Sequence, residues 1–317
     1  MRLFFLGTGA ASPSRQRNVS ALALLFDQSS EWWLFDCGEA TQHQIIRAPV
    51  TLAKLRRIFI SHLHGDHCLG LPGLLATRGM QGATEALEII GPPGLKEYVD
   101  ATRKATGMHF PYPVLLRELS AEGPAHEDER CVVEAWCVPH GIRTFAWVIA
   151  EKDSLGRFKV EDAQTLGIPS GPIYAQLKRG EKVTLPDGRT IDGATLVEPP
   201  RKGRKLVLVS DTYDSTCLHA RAQNAAAVVH EATFLERTDA QKARDHSHST
   251  AAQAGRFAQT CGAKKLILTH FSSRYEGPQE PGTPGITDLV AEAAAQFTNG
   301  PTLAARDLLE VEIERAK

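Results

Sequence analysis

The stretch Ile58-Phe59-Ile60-Ser61-His62-Leu63-His64-Gly65-Asp66-His67 constrains this chain more than any other. Ile58 to Ile60 is a short apolar run of the kind that forms a buried strand. It passes at once into three histidines and an aspartate. Pro72 and the apolar Leu74-Leu75-Ala76 then mark a helix start, because proline is tolerated in a first helical turn. Four groups able to hold a metal therefore crowd a tight loop between a rigid strand and a helix. Gly65 lets the backbone turn there without a side-chain clash. Imidazole nitrogen together with carboxylate oxygen suits zinc and similar divalent ions.

The chain has 317 residues, enough for a large core and one or two domains. A formal net charge of −1 gives no global basic signal, so a nucleic-acid partner would have to be met by a local patch. Six cysteines are scattered without a CxxC pair, which argues against a zinc ribbon or a disulfide framework and fits a reducing cytoplasm. Cys68, beside His67, reads as a buried thiol rather than a ligand. The apolar start Leu3-Phe4-Phe5-Leu6 is too short for a signal peptide. No run approaches the roughly 18 apolar residues of a membrane span. A soluble, cytoplasmic protein with no membrane partner is expected.

Strands are expected at Leu3–Leu6, Ala21–Phe26, Trp32–Phe35, Leu87–Ile90, Cys131–Val138, Thr144–Ala150, Leu206–Val209, Ala225–Val229 and Lys265–Leu268. Helices are expected near 40–47, after the turn Gly91–Gly94, at 251–260 behind Ser/Thr caps, and near 287–297. Residues 107–130 read as irregular and Pro-rich, with His109 and His126 as surface or packing residues, and 277–285 read as a loop. Ser12 to Asn18 is a polar, basic loop, either a solvated turn or a contact surface. Asp36 and Glu39 are open between two roles. They could be carboxylates that back ligating histidines, or Asp36 could cap a helix.

Residues 152–205 break the rhythm of strands. Eleven Lys/Arg stand against seven Asp/Glu there. The segment reads as an excursion built from turns and short strands. Its charge is either the local footprint expected for a phosphate backbone or an ordinary solvated insertion.

Other strand ends carry ligand-type residues: His140 before Gly141, Asp211 after Leu206–Val209, and His270 after Lys265–Leu268. Strand ends of layered sheets gather along one edge. His62, His64, Asp66, His67, His140, Asp211 and His270 are too many for one tetrahedral zinc. They suit two metals, with Asp211 bridging through its two oxygens. Metals about 3.5–4 Å apart lower the pKa of water and stabilise the leaving oxygen of an in-line displacement. The expected chemistry is hydrolysis, most naturally of a phosphodiester. His248 with Glu231 is a candidate general-acid pair; capping or packing at a helix start is equally open for His248.

His62-x-His64-x-Asp66-His67 with His140, Asp211 and His270 resembles the metallo-β-lactamase superfamily. Pro13-x-Arg15-x-Arg17-Asn18 resembles a PxKxRN loop, with Arg15 where lysine is usual, a change that keeps the charge but not the shape. His230-Glu231-Ala232-Thr233 and His248-Ser249-Thr250 resemble HEAT and HST motifs. Gly171-Pro172 and the Lys178-Arg179-Gly180 turn resemble a flexible tRNA-gripping arm. Together, over nearly the whole chain, these features resemble the ribonuclease Z family in its short bacterial form.

The resemblance implies an α/β fold: one αββα metallo-β-lactamase sandwich over 1–317, with a protruding flexible arm at 152–205. It implies two Zn2+ per subunit, one on His62, His64 and His140, the other on Asp66, His67 and His270, with Asp211 bridging. Asp66 would also accept a proton, and Glu231 and His248 would protonate the leaving 3′ oxygen. Arg15, Arg17, Asn18, Gly171, Pro172, Lys178, Arg179 and Lys182 would bind substrate. The implied reaction is endonucleolytic removal of the 3′ trailer from precursor tRNA, leaving a 3′ hydroxyl, by a homodimer. The alternative is a hydrolase of small sulfate, phosphate or lactone esters, which has no need of a basic arm. A non-catalytic RNA-binding module is a third reading, disfavoured by the intact ligand set.

Overall fold

A computed structural model describes residues 1–276 and 282–315. The chain divides into two compact units, residues 1–150 with 205–314, and residues 151–204 with Arg315. The larger unit begins with β1 (Arg2–Gly7), β2 (Ala21–Leu25), β3 (Trp32–Phe35), α1 (Thr41–Ile45), β4 (Leu55–Phe59), α2 (Gly65–Cys68) and α3 (Leu71–Met80). It continues through β5 (Leu87–Gly91), α4 (Leu95–Thr106), β6 (Val114–Glu118), β7 (Gly123–Glu127), β8 (Cys131–Val138) and β9 (Thr144–Glu151). The smaller unit holds α5 (Val160–Thr165), α6 (Pro172–Lys178), β10 (Lys182–Thr184) and β11 (Thr190–Asp192). The larger unit then resumes with β12 (Lys205–Val209), α7 (His219–Ala222), β13 (Ala227–Glu231), α8 (Glu236–Asp245), α9 (Ala251–Thr260), β14 (Leu266–Thr269), α10 (Ile286–Ala294), β15 (Thr302–Ala304) and β16 (Glu310–Glu312).

Two seven-stranded sheets form the larger unit, in the orders β16-β1-β2-β3-β4-β5-β6 and β15-β14-β13-β12-β9-β8-β7. Strands β3 to β6 run parallel, as do β12 to β15. Alternation along β9 explains the layering, because successive side chains point to opposite faces of a strand. Phe145, Trp147 and Ile149 enter the cluster between the sheets, with Phe5, Trp33, Phe35 and Phe59 from the other sheet. Ala146 and Val148 face outward, where Phe257 and Ala258 of α9 and Leu289 and Ala293 of α10 cover them. On the far side Leu34, Ile58 and Ile89 meet Leu71, Leu74 and Leu75 of α3 and Leu95 and Val99 of α4. The result is four layers, αββα. Strands buried on both faces read as continuous apolar runs, and those are the strands visible in the sequence.

The weaker elements differ from the sequence reading. Residues 107–130 are not irregular throughout, since β6 and β7 lie there as outer strands of their sheets. Only Ala125 of β7 is fully buried and β6 is half-exposed, so neither shows a clear apolar pattern. His109 is exposed, and His126 packs edge-on against Trp33 with ring centroids 5.2 Å apart. The expected loop at 277–285 falls partly outside the described residues.

The smaller unit also departs from the expectation of turns and short strands. It contains α5 and α6 and a core of its own, made by Phe158, Ala163, Ile168, Leu177, Leu185 and Leu196. Its root is a charge cluster: Glu151 accepts from Arg204 Nε at 2.8 Å and from Arg315 Nη2 at 2.7 Å. Much of its positive charge is paired within the unit. Arg179 meets Glu181 at 2.6 Å, Arg189 meets Asp187 at 2.7 Å and Lys202 meets Asp153 at 2.8 Å. Among the described residues, no helix is long and apolar enough to cross a membrane.

Candidate metal centre

Strand register decides which distant residues meet. Val209 of β12 pairs with His230 of β13, and Glu231 pairs with Thr269 of β14. Carried one or two residues further, the ladder puts Asp211 and His270 in one row with Glu231 a step behind. The extension of β4 adds His62, and the turn after β8 adds His140.

The donor atoms form two groups, His62/His64/His140 and Asp66/His67/Asp211/His270, each with its atoms within 4.8 Å of one another. His140 Nε2 lies 3.2 Å from His64 Nδ1. His67 Nε2 and His270 Nε2 are 3.4 Å apart, and each is 3.4 Å from Asp211 Oδ1. Asp66 Oδ2 completes that group at 3.4 Å from His270 and 3.5 Å from His67. Donors bound at tetrahedral zinc distances stand about 3.3 Å apart, so these spacings fit. Asp211 divides its oxygens: Oδ2 faces the other group, 3.7 Å from His62 Nε2 and 4.0 Å from His140 Nε2. His62 Nε2 is buried without a hydrogen-bond partner. Such an orphan costs about 1–3 kcal/mol, a penalty that a bound cation removes. The residues therefore fit a pair of metal ions.

The ring nitrogens turned away from the donor groups are held. His62 Nδ1 lies 2.9 Å from Ser61 Oγ, His67 Nδ1 2.8 Å from Asp36 Oδ2, and His270 Nδ1 2.9 Å from Thr233 Oγ1. His140 Nδ1 lies 2.8 Å from the Ser247 carbonyl, which can only accept, so the hydrogen sits on Nδ1 and Nε2 keeps its lone pair. His64 is the exception and presents Nδ1 to the site. Asp36 and His270 both adopt left-handed backbone, with φ of 58°. Such strain costs on the order of 1–3 kcal/mol per residue and persists only where surrounding structure enforces it. Gly38 is required beside them, because a Cβ there would lie 2.3 Å from the Asp66 carbonyl oxygen.

Next to the second group, His248 Nδ1 sits 3.1 Å from Glu231 Oε1. Glu231 is fully buried and also accepts from Thr212 N at 2.8 Å, Thr233 N at 3.3 Å and Thr233 Oγ1 at 2.6 Å. Burial would raise its pKa, but the His248 charge and hydrogen bond hold it below the ordinary value. Burial would lower His248, yet Glu231 and then Asp211 lift it to about 9. Asp66, which burial would raise, is held below the ordinary carboxylate range by His270 and His67.

The other candidate residues divide. Asp36 backs His67, and the capping role is not realised, since the N-cap of α1 is Ala40 and carries no side-chain hydrogen bond. Glu39 does not reach the histidines; its Oε2 is buried without a partner. Cys68 is buried and donates to the Leu63 carbonyl at 3.7 Å.

Arg17 and Asn18, substrate contacts by the resemblance, are both engaged within the fold. Arg17 is buried, bonds Thr8 Oγ1 at 2.6 Å and the Ala305 carbonyl at 2.8 Å, and pairs with Glu276 at 3.1 Å. Asn18 Nδ2 donates to the Glu39 carbonyl at 2.8 Å. Arg15 is exposed. In the smaller unit Gly171, Pro172 and Lys178 frame α6, while Arg179 and Lys182 pair with Glu181 and Asp192. The roles of Ser61, Thr233 and Ser247 escaped the sequence reading. Thr233 was read only as part of its motif, with no role given, and Ser61 adjoins His62; Ser247 acts through its carbonyl, for which side-chain identity carries no signal.

An αββα sandwich with histidine and aspartate donors gathered at parallel strand ends defines a metallo-β-lactamase-fold metal-dependent hydrolase. The chain superposes on the crystal structure of human tRNase Z, short form, with a TM-score of 0.70 at 27% identity, covering 99% of this chain and 100% of that one. The metallo-β-lactamase fold protein YhfI from Bacillus subtilis shares the fold, with a TM-score of 0.66 at 16% identity over 98% of each chain. Ribonuclease Z of Cyanothece sp. is 46% identical over 316 residues, 99% of this chain and 96% of that protein. Ribonuclease Z of Bacillus subtilis is 43% identical over 316 residues, 99% of this chain and 100% of that protein. A family model described as anti-Pycsar protein Apyc1 matches residues 1–109. On the full-length relatives, the chain belongs to the ribonuclease Z family.

Proposed function

We propose that this protein is a metal-dependent endoribonuclease that removes the 3′ trailer from precursor tRNA and leaves a 3′ hydroxyl. In a chain of this family, one observation carries the reading: Asp211 divides its oxygens between two donor groups beside the His248–Glu231 pair. Two zinc ions per subunit are the proposed occupants, one on His62, His64 and His140, the other on Asp66, His67 and His270, with Asp211 serving both. Such a pair acidifies a water and neutralises charge that builds on the phosphate.

The chain's own groups do the rest. Glu231, tied by four donors, stays ionised and holds His248 charged and oriented. With Nδ1–H committed to Glu231, His248 has Nε2–H to give to the departing 3′ oxygen. Asp66, whose Oδ2 lies 3.4 Å from His270 Nε2, would accept the proton of the attacking water. The 152–205 segment is proposed as the arm that grips tRNA, through Gly171, Pro172, Lys178, Arg179 and Lys182, with Arg15 as a further contact. Its separate core supports an independent module, though its internal ion pairs leave less free charge than composition suggests. A homodimer, as the family resemblance implies, and a cytoplasmic location complete the proposal. Six free cysteines support a reducing compartment.

The decisive experiment incubates end-labelled precursor tRNA with the protein, with and without chelator, and maps the cut. Chelator-sensitive cleavage at the trailer junction is expected. Deletion of residues 153–198 should abolish that cleavage and spare bis(p-nitrophenyl) phosphate. Hydrolysis of the small diester with no action on precursor tRNA, by the full chain, would move the assignment to a small-ester hydrolase.

A further inference from the structure

One buried hydroxyl joins two parts of the site that are otherwise separate. Thr233 Oγ1 lies 2.6 Å from Glu231 Oε2, 2.9 Å from His270 Nδ1 and 2.9 Å from the His270 carbonyl. A threonine hydroxyl has one hydrogen and two lone pairs. An ionised carboxylate at 2.6 Å must receive that hydrogen, because two oxygens that close without one would repel. The oxygen can then only accept from the imidazole, which puts the second hydrogen on His270 Nδ1. His270 Nε2 is thereby left as a lone pair directed at Asp66 Oδ2 and Asp211 Oδ1, each 3.4 Å away. The His270 carbonyl is a weaker second acceptor, on the residue that holds φ at 58°.

We propose that Thr233 is a positioning residue that sets two states through one proton. It fixes the tautomer of the ligand His270, and it holds the Glu231 carboxylate in the orientation that meets His248 Nδ1 at 3.1 Å. The hydroxyl is 3% exposed at most and has no route to substrate, so it acts only through these neighbours. The local chain explains the placement. Thr233 follows β13 by two residues, and Ala232 N–H donates to the Thr269 carbonyl at 2.9 Å, which locks this turn to the end of β14 where His270 begins. Valine has the same shape without the hydroxyl. In Thr233→Val, Glu231 Oε2 retains only the Thr233 amide at 3.3 Å, and nothing selects the His270 tautomer.

This inference rests on the metal-centre reading and not on the RNA substrate. The test titrates full-length wild type, Thr233→Val and Thr233→Ser with zinc against a competing chelator, then measures turnover of bis(p-nitrophenyl) phosphate and of precursor tRNA. Partners that orient metal ligands are worth ~10–100-fold in affinity or activity. Thr233→Val should lose about that much zinc affinity at one of two equivalents and a similar factor in kcat, with KM unchanged. Thr233→Ser, which restores the hydroxyl, should recover both. Should Thr233→Val fail to fold, 15N spectra of zinc-loaded wild type decide the matter, because the His270 hydrogen must sit on Nδ1. Wild-type affinity and kcat in Thr233→Val, a serine variant as impaired as valine, or a His270 hydrogen on Nε2 would each overturn the proposal. Wild type that takes up no zinc would overturn the metal-centre reading and this proposal with it.

Discussion

Arg17, a substrate contact by the resemblance, is bonded into the fold, and its replacement separates the two roles. In Arg17→Ala the fold loses the bonds to Thr8 Oγ1 at 2.6 Å and the Ala305 carbonyl at 2.8 Å, and the guanidinium 4.7 Å above the Phe271 ring. It also strands Glu276, whose side chain is only 7% exposed, without the cation 3.1 Å away. Removing one partner of a buried ion pair costs about 3–5 kcal/mol, mostly because the remaining charge stays buried. At ~2–4 °C for each kcal/mol in a domain of this size, melting should fall by roughly 10 °C. Thermal and urea unfolding measure the loss. Combining Arg17→Met with Glu276→Gln should recover part of it, because neither side then buries an unpaired charge. Cleavage by the folded Arg17→Ala protein should show a KM for precursor tRNA close to wild type. An unchanged unfolding midpoint with a tenfold higher KM would refute this reasoning and return Arg17 to substrate contact.

Four further outcomes follow from the site and from the helix beside it. His248→Ala should lower kcat ~10²–10⁴-fold with little change in RNA affinity, read by single-turnover cleavage; undiminished turnover removes His248 from the mechanism. In chelator-treated protein, His248 has a folded pKa of about 9 against an ordinary 6.5. Because the folded value is the raised one, its stabilisation is complete below about pH 6.5 and lost as pH rises through about 9. His248→Gln should flatten the unfolding free energy across that window, and an unaltered slope counts against the pairing. Asp36→Asn removes the charge 2.8 Å from His67 Nδ1 and should weaken metal retention ~10–100-fold in chelator competition. Thr250→Ala deletes the capping box at the start of α9 and should cost about 1 kcal/mol in urea unfolding, with an unchanged m value.

The central strands were legible because each is buried on both faces and so spells an unbroken apolar run, as at Ile58–Ile60 and Leu206–Val209. Strands at the sheet margins were not, because β6 and β7 bury too little to pattern their sequence. The helices of the smaller unit were missed for a related reason: at six and seven residues they span too few turns to show a period.

The chain by itself determined which residues could be ligands. Such residues follow immediately on apolar strands, and a strand end is a local feature that a linear reading detects. It also determined the family, through motifs a few residues long. Tertiary structure alone decided how those residues share their work. Ser247 reaches His140 across 107 positions, Thr233 reaches His270 across 37, and Arg17 meets the Ala305 carbonyl across 288. Hydrogen bonds over such separations depend on strand register and backbone strain, neither of which composition or spacing encodes. That is why the candidate donors could be named from the sequence, while the groups bonded to their ring nitrogens, and the burial of Arg17, could not.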